Sequence, residues 1–414
     1  MDPFISAENP SSSVLARLSS SRLFFAALFF LDLVVAPFFC FSLDVIHFYC
    51  KWATASNGLG PWRMYPECNL PPLVPYILTF LQDLRFCLHA TGTGPVAILI
   101  IKLPSILALF LGCWAIKRYG RESLGIAGSQ AAGVLFVLCP ALWFNAVMWG
   151  QWDVLLTVAI VFIVLAVVAD RPRLAGVGIG VALTIKLQAI VVLPVVITAI
   201  FFRLSAGGLF RSFVAAALTW FLIVTPMLLA GAGVPMIHAY SEAVDRYPDL
   251  SISAWNFWTL LQLRYSGPDS QIFFGLLSAR SIGIYLFAGY SLFLVGLVAL
   301  RPRSISAVIL AAALANVGFY QLPTQIHERY GLPACGLLAL LAPRGQWIWF
   351  ALLNLTITMN QHDAMFYGLY PAARATVFVI INVLILICGT IDLVRRSIFP
   401  TASDSALIVN HGSR

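Results

Sequence analysis

The chain has 414 residues, of which 60% are hydrophobic and 10% charged, and its mean hydropathy is +0.91. These values exclude a soluble globular domain, and repeated apolar runs of roughly 20 residues, each able to cross about 30 Å of hydrocarbon as a helix, indicate an all-α polytopic membrane protein. The net charge of +8 does not point to nucleic acid, because the Lys and Arg residues sit in short groups between apolar runs.

In chain order, residues 1–22 read as a Ser-rich, disordered cytoplasmic segment, residues 23–396 as the membrane domain and residues 397–414 as a short disordered cytoplasmic tail. The run 23–43 continues into aromatic and charged residues without a small-residue cleavage site, so it reads as a retained span rather than a signal peptide. Further apolar runs at 96–116, 125–144, 154–169, 174–185, 189–202, 212–231, 279–300, 305–326, 332–342, 347–361 and 375–394 predict about twelve transmembrane helices. The pair 174–185 and 189–202 is too short for two ordinary crossings. It predicts two half-length helices meeting at the polar break Lys186-Leu187-Gln188, which is tolerated where protein or a cavity covers the exposed backbone.

Basic groups recur in alternate loops: Arg17 and Arg22, Lys117 to Arg121, Arg171 and Arg173, Arg203 and Arg211, Arg301 and Arg303, Arg344, then Arg395 and Arg396. This positive-inside pattern places both termini in the cytoplasm. Two long loops fall on the other side. Residues 44–95 include an apolar stretch from Leu73 to Leu84 that predicts one or two amphipathic interfacial helices, and residues 231–278 are rich in Tyr and Trp. Of the eight cysteines, Cys50, Cys68 and Cys87 share the first loop, which leaves one disulfide open in an oxidising compartment. No nucleotide-binding glycine loop and no paired-cysteine metal pattern occurs.

Four polar clusters stand at the same ends of the apolar runs: Asp44 with His47, Trp149-Gly150-Gln151-Trp152-Asp153, Lys186-Leu187-Gln188, and His327-Glu328-Arg329-Tyr330. Ionisable groups near membrane depth are costly unless they pair or face a wet cavity, so clusters on one face mark a reaction or transport site. Asp32 lies within the first span and is expected to pair inside the bundle.

The order of five segments carries a family resemblance: Asp44 through Ala53, Asn145 through Asp153, Lys186-Leu187-Gln188, Tyr247-Pro248 with Ala254-Trp255-Asn256-Phe257-Trp258, and His327 through Tyr330 followed by Pro333. From Leu23 to about Arg396 the chain resembles the GT-C superfamily of polyprenyl-phosphate-sugar-dependent glycosyltransferases, most closely bacterial members similar to GPI mannosyltransferases. Leu187 stands where such enzymes more often have Pro. The resemblance implies transfer of a hexose, mannose-like, from a polyprenyl-phosphate-sugar to a lipid-linked or glycan acceptor hydroxyl on the non-cytoplasmic side, with inversion. It implies a bacterial plasma membrane with a periplasmic site, or alternatively an endoplasmic reticulum membrane with a luminal one.

Such transfer needs a base for the acceptor hydroxyl, cations for the departing phosphate and an oriented sugar pocket. Asp44 takes the role of base by the resemblance, with Asp153 as the rival. Lys186 and Arg329 are the expected phosphate ligands, joined by His327 and Tyr330 as hydrogen-bond donors. His47, Gln151, Asp153, Gln188, Trp255, Asn256 and Glu328 are the candidate substrate-binding residues. Asp44, His47, Asp153, His327 and Glu328 could together hold a divalent ion, but two cations already supply the counter-charge, which favours transfer without a metal or other cofactor. A secondary transporter or flippase of an anionic or lipid-linked solute is the competing reading; a ligase or polymerase acting on pyrophosphate-linked glycans is a further enzymatic one.

Overall fold

A computed structural model describes residues 10–39, 44–56, 60–64, 68, 70–90, 92–241, 246–366, 368 and 372–398. Residues 1–9 and 399–414 of the terminal segments, and Cys40, Glu67, Glu242 and Asp245, lie outside the described residues, and the N-terminal segment carries a helix, Pro10–Ser20, in place of the expected disordered end. The predicted apolar runs fall on helices: Arg22–Val35, Pro95–Tyr119, Arg121–Val137, Asp153–Val168, Pro172–Ile185, Leu193–Leu229, Ala279–Leu300, Ile305–Gln321, Leu332–Leu341, Trp347–Met365 and Ala372–Ile398. Among the described residues four helices are individually long and apolar enough to cross a membrane, with a fifth if the bent pair Arg121–Val137 and Pro140–Trp149 counts as one span. The remaining helices on the expected runs, such as Asp153–Val168, Pro172–Ile185 and Ile305–Gln321, are shorter, so the all-α membrane architecture holds while these lengths do not by themselves give about twelve full crossings.

Several boundaries differ from the expected ones for local reasons. Pro37 follows the first helix, which ends at Val35 and passes into one tight turn, Ala36–Phe38. Pro140 breaks the third run, and the chain bends by 42° there because proline cannot donate to the preceding turn. The runs 189–202 and 212–231 form one hydrogen-bonded stretch interrupted at Ser205, whose φ of +64° is non-helical. The fifth run ends at Ile185 as expected: Lys186 is extended, and a tight turn Leu187–Val192 leads into the next helix.

Close packing of the half-length helix depends on small residues. A Cβ on Gly176 would lie 2.1 Å from the Ser212 carbonyl oxygen, and one on Gly180 would lie 2.7 Å from that of Ala216. Glycines four apart thus let two backbones touch, the principal source of helix association where lipid is as apolar as the side chains. The main core runs through the helices at 95–119, 121–137, 153–168, 305–321 and 332–341, where the packing residues are almost entirely Ala, Val, Leu and Ile.

Helix Asp153–Val168, about 24 Å long at 1.5 Å per residue, has different chemistry at its two ends. Beyond its C-terminus Arg203 pairs with Asp170 at 2.8 Å and donates to the Pro302 carbonyl at 3.0 Å, Arg171 pairs with Glu122, and Arg344 donates to the Ser123 carbonyl at 2.6 Å. The basic loops that alternate in the sequence therefore gather at one end of the bundle. The polar clusters gather at the other.

There the first long loop carries a wide helical turn, Asp44–Cys50, then helix Lys51–Ser56 and helix Leu73–Cys87, so the Leu73 to Leu84 stretch is helical. Cys68 is buried and Cys87 exposed, both as free thiols, so these two do not pair. The second loop carries helices Gly233–Ser241 and Phe257–Gln262 and a two-residue hairpin, Phe273–Phe274 with Leu277–Ser278. Asp269 fastens it to the bundle by accepting from Thr324 Oγ1 at 2.5 Å and Gln325 Nε2 at 3.1 Å.

Candidate active site

Five segments far apart in sequence converge on one cavity of about 340 Å³. Asp44 enters at the start of its helical turn. Its Oδ2 accepts from Trp149 Nε1 at 2.9 Å and from Gln151 Nε2 at 2.6 Å. The Gln151 Oε1 in turn accepts from the Tyr49 hydroxyl at 2.9 Å. Burial, reinforced by the Asp153 charge, pushes the Tyr49 hydroxyl up, so it stays protonated and keeps donating. Tyr49 also stacks on Trp152, with ring centroids 5.0 Å apart.

Gly150 lets this arrangement close. Its φ is +84°, and an added Cβ would come within 2.7 Å of the Lys102 side chain and 2.8 Å of Val45. Lys102, a buried lysine within helix Pro95–Tyr119, shares its three N–H donors among the carbonyls of Ala36, Phe39, Val147 and Met148. It ties the end of the first helix to the turn before Trp149, and so sets where Asp44 and Trp149 meet. A lone lysine inside an apolar run was a legible signal of this.

Opposite Asp44 stands an ionic cluster. Asp153, on the first turn of its helix, accepts from Lys186 Nζ at 2.5 Å, and its other oxygen lies 3.3 Å from Arg329 Nε. Arg329 Nη1 lies 2.5 Å from Glu328 Oε1, and His327 Nδ1 lies 3.6 Å from Glu328 Oε2. The polar break after Ile185 explains why Lys186 can reach Asp153: the extended residue is released from the helix and turns its ammonium toward the cavity, 4.5 Å from the Tyr330 ring centroid. The Arg329 guanidinium lies 6.0 Å from the Trp149 ring, and the Asp44 charge also acts on it.

These groups hold one another's charge. Burial opposes ionisation of Glu328, but the Arg329 guanidinium prevails and brings its carboxyl down to about 2. Burial would likewise lower Arg329, yet Glu328 and then Asp153 hold it well above its usual value. Burial, with Arg329 adding to it, pushes His327 below its ordinary value, so the imidazole is neutral near pH 7 and can donate a hydrogen bond without adding charge.

Of the residues predicted from the sequence, Asp44, Gln151, Asp153, Lys186, His327, Glu328, Arg329 and Tyr330 line the cavity. Four others do not. His47 is exposed on the turn of Asp44. Gln188 donates to the Tyr330 carbonyl at 2.9 Å and thereby supports the loop rather than the cavity surface. Trp255 is buried and stacked on Phe378 at 4.8 Å, and its backbone is held by Asn360 and Asn382. Asn256 caps helix Phe257–Gln262 through the Thr259 amide. These last two candidate substrate-binding residues thus make contacts within the fold, a ring stack and a helix cap, away from the cavity lining. Glu328 lines the cavity chiefly as the partner of Arg329.

Sequence reasoning passed over Arg246, Ser253 and Gln325, which also line the cavity. Ser253 and Gln325 have φ values of +59° and +62°, strained conformations of the kind that persist where the surrounding structure over-determines them. Among the described residues no three His, Cys, Asp or Glu side chains converge as metal ligands. Asp32 is buried and accepts from Trp143 Nε1 at 2.8 Å, inside the bundle.

A second, apolar groove of about 320 Å³ runs between helices Pro95–Tyr119, Asp153–Val168 and Pro172–Ile185. Ile185 lines both it and the polar cavity, and Leu111 and Trp114 on its flank are half exposed.

Three comparisons bear on this architecture. No curated protein matches the chain. Among solved structures it is similar to ArnT from Cupriavidus metallidurans bound to undecaprenyl phosphate, with 16% identity, a TM-score of 0.50, and coverage of 94% of this chain and 73% of that one. That likeness establishes the GT-C fold. The model of glycosyltransferase family 87 matches residues 71–343, which include the cavity segments around Asp153, Lys186, Arg246 and Arg329 but not that of Asp44. The chain belongs to glycosyltransferase family 87 and is an integral membrane transferase of the GT-C fold.

Proposed function

We propose that the protein transfers a hexose, mannose-like, from a polyprenyl-phosphate-sugar donor to the hydroxyl of a lipid-linked or glycan acceptor, on the non-cytoplasmic side of the membrane. The observation that carries this reading is that one carboxylate, Asp44, and two cations, Lys186 and Arg329, line one cavity, with Ile185 lining both it and an apolar groove. A phosphate between the cations would leave its prenyl chain to lie along the groove and toward lipid beside Leu111 and Trp114. The relative ArnT is bound to undecaprenyl phosphate, which is consistent with such a donor here.

In the proposed step the acceptor oxygen attacks the anomeric carbon as its proton passes to Asp44. The bond from that carbon to the phosphate oxygen breaks, and polyprenyl phosphate leaves with one further negative charge. Arg329 and Lys186 neutralise that charge, and neutral His327 donates to a phosphate oxygen; Tyr330 places its ring beneath the Lys186 ammonium. A single displacement inverts the anomeric centre. Because the leaving phosphate needs no proton, Asp153 is assigned to holding Lys186 and Arg329 together, and no second acid is required. The counter-charge comes from side chains, so turnover survives chelation of divalent ions.

The test is purified enzyme in lipid nanodiscs with a panel of polyprenyl-phosphate sugars and EDTA present. Release of polyprenyl phosphate coupled to glycosylation of an acceptor supports the reading. Turnover only with nucleotide sugars, or only with added metal, contradicts it.

A further inference from the structure

The two halves of the cavity are held by neighbouring side chains at the end of one helix, Trp347–Met365. Gln361, fully buried, accepts from Asn145 Nδ2 at 3.0 Å and donates to the Ala141 carbonyl at 3.1 Å. The Asn145 backbone carbonyl receives the amides of Gly150 at 2.9 Å and Gln151 at 3.0 Å, and Gln151 is the residue that holds Asp44. Met365, a turn further on, packs against Trp149 and Phe144.

Asn360, also fully buried, grips the other half. Its Oδ1 accepts from the Trp255 amide at 2.9 Å and from the Tyr320 hydroxyl at 2.5 Å, and its Nδ2 donates to the Ser253 carbonyl at 2.7 Å. Ser253 bridges to His327, and the Ile252 amide donates to the Ile326 carbonyl at 2.9 Å. From there the backbone leads directly to Glu328 and Arg329.

Adjacent residues on a helix point about 100° apart, so one helix end reaches both walls at once. We infer that Asn360 and Gln361 are positioning residues that set the separation between the base carboxylate and the phosphate-binding cations, Gln361 through Asn145 and Gln151, Asn360 through Ser253 and His327. Neither touches the cavity. The inference rests on the proposed roles of Asp44 and Arg329. Its consequence is a division of kinetic effects. Loosening Gln361 displaces the base and lowers kcat. Loosening Asn360 displaces the phosphate ligands and weakens donor binding.

The experiment compares Gln361→Met, Asn360→Ala and a remote control, Asn316→Ala. Asn316 is equally buried, and its side-chain amide donates to the Ala312 carbonyl of its own helix. Melting temperature, kcat and the Kd for undecaprenyl phosphate are measured for each in the full-length protein. A misplacement of about 1 Å costs on the order of a hundredfold. Gln361→Met is expected to lower kcat roughly ten- to hundredfold with Kd within about twofold of wild type. Asn360→Ala is expected to raise Kd roughly tenfold with kcat at saturation within about threefold, and Asn316→Ala to change neither beyond what its melting temperature explains. The inference is overturned if both site variants keep wild-type kcat and Kd, or if both parameters worsen together in proportion to lost stability as in the control. Wild-type turnover by Asp44→Asn would instead overturn the functional reading on which it rests, and the two failures are told apart by that variant.

Discussion

Replacing Arg329 by lysine keeps the charge and removes the fork. In the structure one guanidinium spans two carboxylates, with Nη1 2.5 Å from Glu328 and Nε 3.3 Å from Asp153. At an effective dielectric near 20, a unit pair at 3.3 Å is worth about 5 kcal/mol before desolvation. Removing water from both partners consumes most of that. A lysine ammonium can reach one carboxylate but not hold both in this geometry. A lysine that keeps the ion pair with Asp153 gives up the Nη1 hydrogen bond to Glu328, a bond to a charged acceptor worth about 1.5–3 kcal/mol, and losing that much in the transition state corresponds to a fall in kcat/KM of roughly 10- to 150-fold. The assay is single-turnover release of polyprenyl phosphate by wild type and Arg329→Lys in the same nanodisc preparation, with melting temperatures in parallel. The fork argument is refuted if Arg329→Lys turns over within twofold of wild type.

Acid should weaken the fold through Glu328. Its carboxyl is brought down to about 2 against an ordinary 4.5, so the stability it contributes is complete above the ordinary value and is lost as pH falls toward 2. Wild type should therefore lose melting temperature more steeply than Glu328→Gln between those values, and parallel curves would contradict the assignment. The depressed His327 adds in the same direction, since its protonation below about 6.5 is disfavoured in the fold. Gly150→Ala should destabilise the protein by about 1–3 kcal/mol through a strained φ and a clash with Lys102 and Val45; an unchanged melting temperature would show that this turn adapts.

Much of the site was legible because charge is rare in this chain. Asp44, Asp153, Lys186 and the His327 to Tyr330 run stand out against apolar neighbours, and the cost of isolating such groups forces them together. The half-length helices around Lys186 were legible from run length and the polar interruption. What escaped was whatever depends on backbone direction. Trp255 and Asn256 read as candidate substrate-binding residues, since an aromatic beside an amide has the same composition in a groove and in a helix cap. Asn360 and Gln361, at the end of the run 347–361, gave no signal of their own, because their partners lie 105 and 216 positions away. Helix lengths were overestimated where a proline followed a continuous apolar run, whereas the break at Ser205 falls in the expected gap between the runs 189–202 and 212–231, beside Gly207 and Gly208.

The most direct test of the account is the turnover of Asp44→Asn. The carboxamide retains an oxygen to accept from Trp149 and Gln151, so the fold and the melting temperature should be preserved. It cannot take the acceptor proton, and kcat should fall by about 10²- to 10⁴-fold, the usual contribution of a general base. A folded Asp44→Asn enzyme that transfers sugar at the wild-type rate would contradict the central claim.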